Sequence, residues 1–170
     1  MTKQDILENQ VKSIYLGIGS NLGNRISNIE KAKLSLIESN IKILRSSNFY
    51  ESLSWPNNRN PKFLNIVLEV HTLFSPTKLL QKCKEIEIAL GRKKTSRNSP
   101  RICDIDIIDF KSYKTSDKLY LPHPRMHLRN FVLLPLFELN KDWVHPILKE
   151  HIKTLILSLS NRDIRSIKQF

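Results

Sequence analysis

Residues Cys103-Asp104-Ile105-Asp106-Ile107-Ile108-Asp109-Phe110 form an apolar run interrupted by three aspartates, and no other run restricts the fold as much. The isoleucines favour a strand, whereas aspartate is a poor strand former. In a strand, side chains alternate between faces, so Asp104 and Asp106 share one face and Ile105 and Ile107 the other. Asp109 falls opposite the pair and is expected to be exposed. Two neighbouring carboxylates repel unless something positive lies between them. The segment just upstream supplies Arg92, Lys94, Arg97 and Arg101. These are long, mobile cations, and each alone reads as a surface charge. A divalent metal is the more economical partner, with phosphate behind it and the arginines, as planar forks of donors, folding over the phosphate. The competing reading is a solvent-facing strand edge.

The charge of the whole chain points the same way. Its 170 residues carry 28 basic and 16 acidic side chains, a net charge of +12. Such an excess suits a nucleotide, a nucleic acid or an acidic membrane; the alternative is a Lys-rich drift on a solvated surface. Apolar residues make up 40%, enough for the core of one domain. Cys83 and Cys103 lie far apart without a CxxC spacing, and residues 1–12 are polar, so a reducing, cytoplasmic setting is expected. The apolar run from Phe131 to Phe137 is too short to span a bilayer and contains Pro135.

Residues 1–13 read as an extension, 14–160 as the folded domain with a C-terminal helix, and 161–170 as a tail. A first strand at Ile14 to Gly19 precedes a helix capped by Asn24, with Ile26, Ile29, Ala32 and Leu36 at helical spacing. A second strand is expected over Ile41 to Leu53 and a third over Phe63 to Leu73. Ser75-Pro76 starts a helix whose stripe is Leu79, Cys83, Ile86 and Leu90, and Gly91 stops it. The aspartate strand follows, then helices over Asn130 to Leu139 and Leu148 to Leu159. Strand, helix, strand, strand, helix, strand is the ferredoxin-like split β-α-β pattern. It is an α/β (α+β) fold in which a mainly antiparallel sheet carries helices on one face.

Other motifs exclude as much as they suggest. Gly17, Gly19 and Gly23 miss the dinucleotide fingerprint by one residue, and no GxxxxGK[ST] is present. They read as a strand-to-helix turn or as a place where something approaches the backbone. His123 and His127 resemble a metal pair, but Pro122 and Pro124 break any helix presenting both, which argues against zinc. His123 remains a candidate phosphate donor. His71, His145 and His151 read as structural or exposed. Asn65 lies in an apolar strand, either satisfied internally or reading the edge of a heterocycle. Trp55, Phe63 and Phe131 are core aromatics by default, or walls of a slot for a flat ring.

Five ordered blocks resemble a known family. They are Tyr15 to Asn24; Phe63-Leu64-Asn65; Ile86-Glu87 with Gly91-Arg92; Ser99-Pro100-Arg101 through Asp104-Ile105-Asp106-Ile107; and Leu121 to Val132 with Pro135-Leu136. The chain is similar over residues 15–139 to the 6-hydroxymethyl-7,8-dihydropterin pyrophosphokinases of folate biosynthesis. The resemblance implies transfer of the β,γ-diphosphate of ATP to the pterin hydroxymethyl group, with release of AMP. It implies that Asp104 and Asp106 hold two magnesium ions, and that Arg92, Arg101, Asp104 and Asp106 carry the chemistry. ATP would meet Glu87, Arg92, Lys94, Arg97, Arg101, Ile107, Lys118, His123 and Arg129. The pterin would meet Ser52, Leu53, Trp55, Phe63, Asn65, Asp104 and Phe131. A monomer acting without nucleic acid or membrane is expected.

The chain also departs from that pattern. Asn98-Ser99 stands before Pro100 where the family often has tryptophan and glycine, and the loop is a residue shorter than in some relatives. Trp55 replaces a smaller aliphatic residue, and Asp109 a usually apolar one. The alternatives are an RNA-binding module with the same element order, against which the third strand lacks the exposed aromatic and glycine pattern, and a non-catalytic homologue.

Overall fold

The computed structural model describes residues 12–56, 58–93, 98–116 and 119–170. Lys94, Arg97 and Lys118 lie outside them. Strands β1 (Ile14–Ser20), β2 (Lys42–Ser46), β3 (Tyr50–Ser52), β4 (Phe63–His71), β5 (Asp104–Phe110) and β8 (Lys168–Gln169) form one sheet. Its order is β5-β1-β4-β3-β8, with β2 also on β4, and every pairing is antiparallel. Short strands β6 (Thr115–Ser116) and β7 (Tyr120–Leu121) pair apart from it.

Helices α1 (Arg25–Glu38) and α2 (Pro76–Ala89) cover one face. Asn24 Oδ1 accepts from the Ser27 amide at 3.0 Å and Ser75 Oγ from Lys78 at 3.3 Å, so both expected caps form. Gly91 takes φ +99°, as a helix stop requires. Ile29, Ala32 and Leu36 are buried, but Ile26, expected in that stripe, is half exposed. From α2, Leu79, Cys83 and Ile86 close a core with Leu16, Ile18, Ile66, Leu68, Ile105 and Ile107.

The other face is covered as well, which the sequence reading did not expect. Helices α3 (Asn130–Leu139) and α4 (Ile152–Leu157) pack on Tyr15, Val67 and Ile108 through Val132, Leu133, Leu136, Leu139, Ile152 and Leu155. The expected last helix is thus cut to six residues. Beyond it, α5 (Asn161–Ser166) and β8 fold back, and β8 pairs with β3. Where one second strand was expected there are two. Between them Ser47 donates its amide to Val67 O at 2.9 Å and accepts from the Val67 amide on its own hydroxyl at 3.0 Å.

Strand β5 contains a bulge that overturns the reading of Asp109. Leu16 pairs with Ile107 but Tyr15 pairs with Asp109, so Ile108 is an inserted residue. The insertion reverses the alternation beyond it. Asp109 therefore turns to the face covered by α3 and α4 and is buried there, accepting from Trp143 Nε1 at 2.9 Å and from the Ser112 amide at 3.0 Å. Burial raises its carboxyl above the usual range, although those hydrogen bonds oppose the shift.

Candidate active site

The second face is open at one place, where β1 carries glycine. Asp104 pairs across β5 and β1 with Gly19, which pairs with Asn65 on β4; Asp106 pairs with Gly17, which pairs with Val67. Side chains therefore rise on both sides of a bare floor. A Cβ on Gly19 would lie 3.0 Å from Asn65 Oδ1 and 3.2 Å from Phe63 Cδ1. Glycine is needed there for close approach, not for an unusual φ; only Gly23 serves the turn, at φ +67°. Above the floor is a cavity of about 250 Å³.

At the end of the cavity nearer α2, Asp104 Oδ1 accepts from Arg92 at 2.8 Å and Oδ2 lies 3.3 Å from Arg101 Nη1. Burial alone would raise the Asp104 carboxyl, but the charges of Arg101, Lys84 and Arg92 outweigh it and hold it below the usual range. Arg92 also bonds Glu87, a fully buried carboxylate that accepts from the Ile105 amide at 2.6 Å and Lys84 Nζ at 2.8 Å. Glu87 thus lies beneath the cavity and organises the cations in it. At the other end, Asp106 Oδ2 is 3.6 Å from Arg129 Nη1 and 3.8 Å from His123 Nε2. Burial, with Arg129 and Arg125, lowers the His123 pKa more than Asp106 raises it.

The opposite wall is aromatic and amide. Asn65 Nδ2 donates to Tyr50 O at 3.2 Å and Ser52 Oγ at 3.0 Å, which fixes the amide plane. Phe63, Phe131 and Trp55 stand around it. Asn21 joins the loops that bring these parts together. Its Oδ1 accepts from the Arg101 amide at 2.8 Å, and its Nδ2 donates to Ser54 Oγ at 3.3 Å and Pro61 O at 3.1 Å.

Of the expected site residues, the fold gathers Trp55, Phe63, Asn65, Arg92, Arg101, Asp104, Asp106, His123, Arg129 and Phe131 around this cavity. Ser52 is buried behind Asn65, Leu53 lines an adjoining cavity, and the Ile107 side chain points into the core under α1 and α2. Lys84 and Arg125 line the cavity without having been singled out. Lys84 was foreshadowed only by its position three residues before Glu87. His127 points away, its ring 5.8 Å from that of His145.

A family model for 7,8-dihydro-6-hydroxymethylpterin-pyrophosphokinase matches residues 15–141, which include this floor and every wall of the cavity. The chain belongs to that family. The family's pyrophosphokinase of Aquifex aeolicus is 39% identical over 142 residues, covering 83% of this chain and 88% of its own length. That of Methylorubrum extorquens is 36% identical over 132 residues, covering 76% and 84%. The folic acid synthesis protein fol1 of Pneumocystis carinii is 36% identical over 160 residues, but the match spans 22% of that longer protein. A structure of Plasmodium falciparum HPPK-DHPS with pteroate has the same fold, with TM-score 0.75 and 17% identity over 92% of this chain and 45% of that one.

Proposed function

We propose that the protein is a pyrophosphokinase of folate biosynthesis that moves the β,γ-diphosphate of ATP onto the hydroxymethyl oxygen of 6-hydroxymethyl-7,8-dihydropterin. The observation carrying this reading is the row Asp104–Gly19–Asn65, which sets a carboxylate ringed by cations beside an amide flanked by aromatics. The hydroxymethyl oxygen attacks the β-phosphorus and its proton passes to solvent. The bond from the β-phosphorus to the oxygen bridging it to the α-phosphate breaks, and AMP leaves with that oxygen.

Asn65 presents its amide to the pterin edge, and Phe63 and Phe131 form the slot for the flat ring. Lys84, Arg92, Arg101, Arg125 and Arg129 face two aspartates in the cleft, a surplus of positive charge suited to a polyphosphate. Phosphoryl transfer is mostly positioning and charge neutralisation, so these residues carry most of the rate.

Asp104 and Asp106 fit magnesium. They share one face; the contacts of Asp106 to His123 and Arg129 are long enough to leave its lone pairs to a metal, and Asp104 would exchange a contact to Arg92 or Arg101 for one. Among the described residues no group of three or more His, Cys, Asp or Glu side chains is placed to hold a metal. Magnesium takes one or two carboxylates and completes its shell with phosphate oxygens. When bound, two magnesium ions offset charge on the phosphate oxygens and on the attacking oxygen. The protein acts as a monomer in the cytoplasm on this reading, and no helix among the described residues is long and apolar enough to cross a membrane. An RNA-binding role is disfavoured because α3 and α4 cover the sheet face such a module would expose.

The test is release of AMP from ATP, magnesium and the hydroxymethyl-dihydropterin. Stoichiometric AMP and pterin diphosphate are expected; folded, pure protein that yields neither refutes the reading.

A further inference from the structure

Arg129 is set deep in the cleft, yet its polar contacts are poor. Its side chain is only 10% exposed. Nη1 lies 3.6 Å from Asp106 and 3.4 Å from His123 Nε2, both longer than a good charge-assisted hydrogen bond. Its Nε is buried with no hydrogen-bond partner among the described residues. Aromatic faces hold this guanidinium. Its Cζ is 5.4 Å from the centre of the Trp55 ring and 5.5 Å from that of Phe131. A second guanidinium, that of Arg125, lies 5.1 Å from the same indole. Trp55 is 40% exposed. Its indole also stands between the active-site cavity and the adjoining one of about 370 Å³, lined by Leu53, Leu128 and Arg162.

We infer that Trp55 is a positioning residue for the nucleotide half of the reaction: its indole holds Arg125 and Arg129 in the wall of the cleft, where they meet the polyphosphate of ATP. Tryptophan is the strongest cation–π partner among side chains, and its ring, with Asp106 3.6 Å from Arg129, offsets part of the repulsion between the two guanidiniums. A leucine fills some of the same volume but has no such face. Among the described residues, Arg129 in that variant keeps Phe131 and its long contacts to Asp106 and His123, and spends less time aimed into the cavity. The inference rests on the proposed function, and it differs from a purely pterin-facing role for Trp55 in naming the substrate whose binding suffers.

The test measures affinity for the magnesium complex of α,β-methylene-ATP, in which the bond that breaks is replaced, by titration calorimetry. Wild type, Trp55→Leu, Trp55→Phe, Arg129→Ala and the Trp55→Leu/Arg129→Ala double variant are compared, with circular dichroism to check folding. Trp55→Leu is expected to weaken nucleotide binding about three- to tenfold and Trp55→Phe to restore most of it. In the Arg129→Ala background, Trp55→Leu should cost less affinity than it does in wild type, since one of the two arginines it acts through is gone. Steady-state KM for ATP should rise in parallel. Unchanged nucleotide affinity in folded Trp55→Leu, with only the pterin KM raised, overturns the inference, as do additive losses in the double variant. Wild-type protein that binds the analogue but makes no AMP would instead count against the proposed function.

Discussion

Gly19 shows how much one missing methyl group decides. It lies between a carboxylate and an amide in one cross-strand row, and a methyl there meets Asn65 and Phe63 at 3.0 and 3.2 Å. Gly19→Ala should raise the pterin KM about tenfold or more while leaving α,β-methylene-ATP affinity within about twofold; steady-state kinetics beside calorimetry separates the two. Asp104→Ala and Asp106→Ala should each cost at least about a hundredfold in AMP release, with melting temperature and circular dichroism near wild type. Near-normal rates at saturating magnesium would remove the metal role from that carboxylate. Both side chains are partly exposed, so their loss leaves no large void.

The elements that bring such residues together are held by few contacts. The break between β2 and β3 is clipped to α3 by Glu138, which accepts from the Asn48 amide at 3.1 Å, Asn48 Nδ2 at 2.9 Å and the buried Tyr50 hydroxyl at 2.9 Å. Tyr50 O in turn receives the Asn65 amide. Glu138→Ala should destabilise the fold by about 1–3 kcal/mol in urea unfolding, since it strands a buried hydroxyl. Glu138→Gln should recover part of that loss. Much of this scale was legible in the sequence. Helix α3 spans the expected residues, and α1 and α2 start at their expected caps, because helix signals are local. The bulge at Ile108 was not legible: Ile107-Ile108 is apolar at both positions, and only pairing with β1 reveals which residue is extra. The aspartates and arginines of the site stood out as charges beside an apolar strand. Lys84 and Arg125 did not, because helix packing and a proline-rich turn bring them to the cleft.

Across the whole molecule, the layer of α3, α4 and the 140–151 segment couples stability to acidity. His145 is buried against Trp143 and His127, with Nδ1 accepting from the Ile147 and Leu148 amides at 3.2 and 3.1 Å. Burial, with a smaller push from His127, lowers its pKa to about 4. An unfolded histidine titrates near about 6.5, so between these values the unfolded chain binds the extra proton and stability falls as pH falls. Between pH 7 and pH 5 this group alone should remove about 2 kcal/mol. Urea unfolding of wild type and His145→Asn at both pH values tests it; parallel losses would acquit His145. A last consequence belongs to the β5 bulge. A strand normally gives a mutational tolerance profile with an unbroken beat of two. Saturation mutagenesis of β5 scored for folding, not activity, should show that beat from Asp104 to Ile107 and then slip by half a period, with Ile108 and Asp109 intolerant in succession. Deleting Ile108 would bring the strand back into step and carry Asp109 out of reach of Trp143, uncoupling the layer that tunes stability from the strand that bears the chemistry.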